Sequence, residues 1–336
     1  MIATGTPFEQ ELFQGKNIKT NTQNGYIGNL RRLNNKHEIT SLDFLNAPAD
    51  ILARLQAKNK PRTVLNYCIC ICSVLKNRPG YEDLYGVYSK YILDIHEGLD
   101  AVDNTVKTPA QEENWLTYPQ VMERRNQLEA EVDALPAGEM TSVAWNKVLE
   151  MLVLSLYCLT QPRRTLDYSQ MVFCKAVPDV LDPTKNYCDV KTSRFVFTNY
   201  KTSTKYDTQT VNITPELVSV LKKYLRLHPL SKDFRKKSCV SVPFIVDSLG
   251  APLCSGEKND SYKITKMLNK IFGKPVSVNL IRSIYATHFL GGEMGAQQTA
   301  ANMGTSMEML DKVYIKKLPL RGNCGTAVSF VAAQDL

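Results

Sequence analysis

The chain lacks any apolar run of about 18 residues, so the sequence predicts no membrane-crossing helix. Its N-terminal stretch, MIATGTPFEQELFQG, lacks the apolar segment of a secretory leader, and the expected location is cytoplasmic or nuclear. Histidine is scarce: His37, His96, His228 and His288 show no zinc-ligand spacing. There is no Gly-rich phosphate loop and no carboxylate cluster of the two-metal kind, so neither ATP nor a metal or other cofactor is expected. Internal repeats, low-complexity tracts and heptad arrays are also missing, which excludes solenoids and coiled coils.

Cysteine is present but unsuited to disulfides. Nine is an odd number, and with no leader ahead of them the thiols read as reduced. Cys68, Cys70 and Cys72 form a C-x-C-x-C run inside YCICICSVL. A metal is one reading. The segment is helical in pattern, however, and residues two apart on a helix face different ways, so buried core thiols are the expectation.

Charge is unevenly spread. The net charge is +8. Residues 1–112 carry 13 Lys/Arg against 12 Asp/Glu, and residues 113–336 carry 28 against 21. Between Lys191 and Lys237 there are 11 basic residues and three acids. A basic second half suits a polyanion such as double-stranded DNA, although a solvated basic surface gives the same count.

The length suggests about two domains. Residues 1–17 read as a polar, poorly ordered lead-in. From 18 to 102 the pattern is helical: TNTQNGYIGNLRRL, then helices opened by Pro48 and Pro61, then YEDLYGVYSKYILDIHEGLDAV after the Pro79-Gly80 turn. Tyr85, Tyr88 and Tyr91 in the last of these read as packing residues. A linker is expected at 103–112 and a second domain from 113 to 336. Its helix TSVAWNKVLEMLVLSLYCLT is apolar nearly all round and therefore buried. Short β-branched and aromatic runs follow, MVFCKAV, YCDV, SRFVFTNY and TQTVNIT. The last two flank a hairpin or short loop with Lys201 and Lys205. Overall the fold class is mainly α with a small β-sheet: an N-terminal helical bundle and an α+β domain.

Residues 275–317 gather the chemistry. Arg282 lies near the start of an apolar-periodic run, a Gly291-Gly292 break follows, and Met303-Gly304-Thr305-Ser306 forms a turn. Tyr314 ends the next run, among Lys312, Lys316 and Lys317. An arginine can hold phosphate oxygens while a phenol attacks phosphorus. Upstream, Arg163 and Arg164 follow the buried helix, and Asp167 sits three residues past Arg164.

This order of groups resembles the tyrosine recombinase, or phage-integrase, family, and the resemblance covers nearly the whole chain. Arg164-Thr165-Leu166-Asp167 is similar to the family's first arginine box, with Arg163 as a competitor for Arg164 and Asp167 in support. Lys201, or alternatively Lys205, matches the hairpin lysine. Asn279-Leu280-Ile281-Arg282 matches the His-x-x-Arg box, and Met303-Gly304-Thr305-Ser306 matches the Leu-Gly-His-Ser box. Tyr314 falls nine residues after Thr305, the family spacing. The Pro-Arg-Arg-x-x-Asp-Tyr form resembles integrases of large DNA viruses and mobile elements, for which a host nucleus is a further location. Asn279 and Thr305 stand where the family has histidine-type groups. Both can hydrogen-bond a phosphate but neither transfers protons near neutral pH, which places more of that work on Lys201. His288 is a substitute candidate, against the plainer reading of a helix residue with a satisfied ring.

The resemblance implies a site-specific DNA recombinase or integrase. It would cut and rejoin strands through a 3′-phosphotyrosine at Tyr314 and need neither metal nor ATP. It implies a core-binding bundle and a catalytic domain forming a C-shaped clamp on DNA, with dimers or tetramers on paired sites. A tail patch at Val328–Ala333 would pack on a neighbour or on its own core. The rivals are a type IB topoisomerase, a catalytically inactive DNA-binding relative and a basic helical protein with no DNA role.

Overall fold

The computed structural model describes residues 5–136, 140–254, 260–289 and 296–317. The chain divides into two compact units, Met1–Asp103 and Asn104–Leu336. No helix among the described residues is long and apolar enough to cross a membrane.

The first unit is all-helical: α1 (Pro7–Glu11), α2 (Thr20–Leu33), α3 (Pro48–Lys58), α4 (Pro61–Leu75) and α5 (Glu82–Asp100). Prolines open α1, α3 and α4, where a missing N–H costs nothing. Helix α4 is the hub and contacts α2, α3 and α5. It is therefore buried on several faces, which explains how thiols two residues apart are all enclosed: Cys68, Cys70 and Cys72 are at most 8% exposed. Cys70 Sγ points to the Tyr26 carbonyl on α2, and Cys72 Sγ meets Ser89 Oγ on α5. Burial pushes the Cys68 thiol up to about 11 and raises Cys70 and Cys72 as well, so all three are packed thiols at neutral pH. Tyr88 is also core, its hydroxyl donating to the Leu45 carbonyl, while Tyr85 and Tyr91 pack beside it half-buried.

The lead-in differs from its sequence reading. Thr6 and Glu9 form a capping box on α1, and Leu12 and Phe13 are buried. Glu9 is buried because Arg31 Nε and Nη2 hold its two oxygens at 2.7 and 2.6 Å and the Thr6 and Ile39 amides add two more bonds. Burial alone would raise this carboxyl; the Arg31, Thr6 and Ile39 hydrogen bonds outweigh it and hold the group below the usual range.

The second unit begins with α6 (Pro109–Asn114), α7 (Tyr118–Asp133) and α8 (Ser142–Cys158). Helix α6 lies largely in the expected linker and carries a Thr108/Gln111 capping box. Helix α8 is the core of the unit, buried nearly all round and capped by Thr141. Then come α9 (Thr165–Ser169), β1 (Met171–Cys174), β2 (Asn186–Asp189), β3 (Arg194–Phe197), α10 (Ser203–Tyr206) and β4 (Gln209–Asn212). Next are α11 (Pro215–Leu227), α12 (Ser231–Arg235), β5 (Ser241–Pro243), α13 (Asp260–Phe272) and α14 (Val278–Phe289). Last are α15 (Ala296–Asn302) and α16 (Met307–Met309), which runs on into a π-helical turn, Leu310–Tyr314.

The sheet order is β4-β3-β2-β1-β5. Among the described strands only β1 and β2 pair in parallel; β2–β3, β3–β4 and β1–β5 are antiparallel. The expected hairpin is thus β3–β4, with Arg194 opposite Asn212 and Phe197 opposite Gln209. Its connection contains the one-turn helix α10. The Gly291-Gly292 break and the Val328–Ala333 patch lie outside the described residues.

Behind the sheet, His228 is 1% exposed between Trp145, Phe173 and Tyr224. Its Nε2 donates to the Pro243 carbonyl at 3.1 Å and its Nδ1 accepts from the Leu230 amide at 3.1 Å, so the ring sits neutral. Burial pushes it down to about 4, with the Pro243 bond opposing. In the unfolded chain it would protonate near pH 6.5. Stability is therefore complete above about pH 6.5 and falls as pH drops towards 4, by about 3 kcal/mol at the limit. Urea midpoints measured across this range should show the decline, and His228→Gln should flatten it. An unchanged slope in the variant would remove His228 as the cause.

Candidate active site

Helix α8 delivers the chain to Pro162, and the next two residues differ in burial. Arg163 is 1% exposed, whereas Arg164, the N-cap of α9, is half-buried. Arg163 Nε donates to Asp167 Oδ2 at 2.7 Å, and Nη1 donates to Gln209 Oε1 at 2.8 Å and to the Asn302 carbonyl at 3.0 Å. Its guanidinium lies over the Phe197 and Tyr200 rings, 3.9 and 4.9 Å from their centroids. Asp167 is thus the partner of Arg163 at i,i+4, whereas the i,i+3 spacing in the sequence points to Arg164. Burial raises the Asp167 carboxyl above the ordinary range and the Arg163 charge opposes it.

Arg282 comes from the first half of α14 and is fully buried. Its Nη2 donates to the Met303 carbonyl at 3.1 Å, and its guanidinium lies 4.6 Å from the centroid of the Tyr314 ring. Nε and Nη1 have no hydrogen-bond partner among the described residues. Burial lowers its affinity for the proton, the Tyr314 phenol favours the charge, and neighbouring Arg164 disfavours it. An arginine stays charged under such pressure.

The end of α15 ties these groups together. The Gly304 amide bonds the Ala301 carbonyl and the Thr305 amide bonds the Ala300 carbonyl, a Schellman close with Gly304 at φ +63°. The carbonyls left over at this helix end are taken by arginines. Asn302 receives Arg163, Met303 receives Arg282, and Gly304 receives Arg164. Cations are favoured at the carbonyl end of a helix, and three converge here. Thr305 is 5% exposed and its Oγ1 has no partner among the described residues.

Tyr314 is 5% exposed at the end of the π turn, where Ile315 N–H reaches back five residues to the Leu310 carbonyl at 3.0 Å. Thr287 Oγ1 on α14 donates to the Tyr314 carbonyl at 3.4 Å and accepts from Lys316 N–H at 2.9 Å. The tyrosine backbone is thereby pinned to the helix that carries Arg282.

The remaining sequence candidates lie further out. Lys201 is exposed in the β3–β4 connection. That connection approaches Thr305 through Tyr206 and Gln209, which line a cleft of ≈ 140 Å³ with Ala300, Thr305 and Met307. The Lys205 side chain is outside the described part. Asn279 is exposed in the first turn of α14, one turn ahead of Arg282. His288 is roughly 120° round that helix from Arg282 and stacks on Tyr118, 4.6 Å between centroids, beside Trp115. The structure therefore brings Arg164, Arg282, Thr305 and Tyr314 together and gives His288 a packing partner elsewhere.

Sequence reasoning does not find Gln209, Thr287 or the three carbonyls. Only Gly304, a glycine just past a helical run, carries a signal for the helix end.

No protein-family model matches the sequence, and no curated protein matches it. Among solved structures, the Tn1549 transposon integrase in complex with transposon right end DNA is 13% identical. The match covers 93% of this chain and 94% of that one, at a TM-score of 0.51. The same integrase with a circular intermediate DNA gives 13% identity, 93% and 95% coverage and a TM-score of 0.48. XerA recombinase gives 14%, 93% and 92%, and 0.39. The chain has a tyrosine-recombinase fold.

Proposed function

We propose that this chain is a DNA strand-transfer enzyme, a site-specific recombinase or integrase with Tyr314 as nucleophile. The observation that carries the reading is Arg282: a buried guanidinium with two unpartnered nitrogens among the described residues, beside Arg164 and against the Tyr314 ring. Buried donors left unsatisfied are costly, and a phosphodiester oxygen would satisfy them once DNA binding parts the side chains that cover Arg282, 0% exposed in the free chain. The Tyr314 phenol gives up its proton to water as its oxygen attacks phosphorus, forming the P–O(Tyr) bond and breaking the bond to the deoxyribose 5′-oxygen. That oxygen leaves with a proton, for which Lys201 is the donor. Arg164 and Arg282 stabilise the charge that builds on the nonbridging oxygens, and Thr305 and Asn279 offer hydrogen bonds to them. Rejoining runs the steps backwards, the bond energy being kept in the phosphotyrosine.

The basic second unit supports double-stranded DNA as partner, and the complex of the Tn1549 integrase with transposon right end DNA supports the same reading. Recombination further requires that copies pair on two DNA sites.

A nicked duplex that loses its leaving strand tests the proposal. The wild-type protein should become covalently attached to DNA on a denaturing gel, and Tyr314→Phe should abolish the adduct. No wild-type adduct over a range of duplex sequences would sink the enzymatic reading. Supercoil relaxation without pairing of sites would point to a type IB topoisomerase.

A further inference from the structure

Arg163 has no part in the proposed chemistry, yet its guanidinium is engaged on nearly every side. Its hydrogen bonds reach three separate segments: Asp167 in α9, Gln209 at the start of β4, and the Asn302 carbonyl at the end of α15. Two aromatic rings from the end of β3 and the following loop flank it. Its Nη2 presses on Gly304 so closely that a Cβ there would lie 2.9 Å from it. Only a planar fork of five donors makes this set of contacts; a lysine ammonium would satisfy one corner of it. The segments it joins are those that present Arg164, the Lys201 loop and Thr305.

We infer that Arg163 is a positioning residue: it locks the Asn302–Thr305 turn to α9 and β4. It thereby sets the Met303 and Gly304 carbonyls that aim Arg282 and Arg164. The inference rests on the strand-transfer reading for its consequences in catalysis, but not for the lock itself. Nε and Nη1 of Arg163 are committed to protein, and Nη2, which has no hydrogen-bond partner among the described residues, packs against Gly304.

The experiment compares wild type, Arg163→Gln, Gln209→Leu and Arg164→Ala. Gln209→Leu removes one tooth of the fork from the β4 side and keeps the test alive if Arg163→Gln does not fold. In the first arm, hydrogen exchange is followed at the Gly304 and Thr305 amides, which the Schellman bonds protect. Both lock variants should exchange about tenfold faster there, with the α8 amides unchanged. Unchanged exchange at 304 and 305 overturns the lock, whether or not the protein cuts DNA.

In the second arm, single-turnover adduct formation should fall about 10- to 100-fold in the lock variants while DNA affinity holds. A scissile methylphosphonate, neutral where the phosphate carries a nonbridging oxygen charge, should restore Arg164→Ala substantially and the lock variants not at all. Rescue of Arg163→Gln to the same degree as Arg164→Ala would make Arg163 a phosphate contact and overturn the inference. Lock variants that cleave at the wild-type rate would overturn it too. Absence of a wild-type adduct would count against the strand-transfer reading alone, since the exchange arm still decides the lock.

Discussion

Arg282→Met is expected to remove strand cleavage and to leave the fold as stable as before, or more so. Loss of one transition-state donor group costs about 10²–10³ in rate in other enzymes, and that is the decrease expected for adduct formation. The stability effect runs the other way because of where the charge sits. Arg282 is fully buried, two of its nitrogens have no partner among the described residues, and Arg164 stands nearby with the same sign. Replacing such a group by an apolar chain of similar length removes the cost of holding an incompletely bonded charge out of water. Set against that, the Met303 carbonyl loses its donor, at about 1 kcal/mol. The net expectation is a gain of roughly 0–2 kcal/mol, or a rise in midpoint of a few degrees for a unit of this size. Thermal melting and the suicide-duplex assay on the same preparation check both halves. A variant that is inactive and also several kcal/mol less stable would make Arg282 a structural brace instead of a phosphate clamp.

Gly304→Ala should be among the most damaging small substitutions at the described residues of the second unit. The residue sits at φ +63°, where a side chain costs about 1–2 kcal/mol. The added Cβ would also lie 2.9 Å from Arg163 Nη2 and 3.2 Å from its Cζ. Arg163 cannot swing aside without breaking its bonds to Asp167, Gln209 and Asn302. The total cost should be roughly 2–4 kcal/mol, with cleavage lowered about 10²-fold as the turn moves. Gly273 supplies the control. It has the same φ of +63°, and a Cβ added there would meet nothing within 4 Å, so Gly273→Ala carries the backbone cost alone. Denaturant unfolding of the two variants side by side isolates the contact with Arg163. Equal losses would mean that the contact yields freely.

Much of this is legible in the sequence. Prolines at 48 and 61 and caps at Thr141 and Thr214 mark helix starts through local chemistry, and those helices form. The β3–β4 hairpin shows as two β-branched runs, but the one turn of helix inside its connection is too short for any periodicity. The order in the lead-in stays hidden because Glu9 looks like a solvated charge until Arg31 and Ile39, distant in sequence, close over it. Arg163 and Arg164 pose the hardest case. Two identical neighbours both reach the α15 end, and only the positions of Asp167, Gln209 and the Phe197 and Tyr200 rings decide which is enclosed. The convergence of three arginines on one helix end is invisible for a simpler reason: carbonyl groups have no letter in a sequence.

The π turn before Tyr314 bears on how the chain can vary in length. A π turn holds one residue more than an α turn and is the less favourable of the two, so helix formation by itself would shed that residue. Shedding it would swing the phenol about 100° round the axis and carry its ring away from Arg282. The nine-residue interval from Thr305 to Tyr314 therefore acts as a ruler. Its graduation is set by where the ring must stand, and the surplus residue in the turn is the slack taken up to reach that mark.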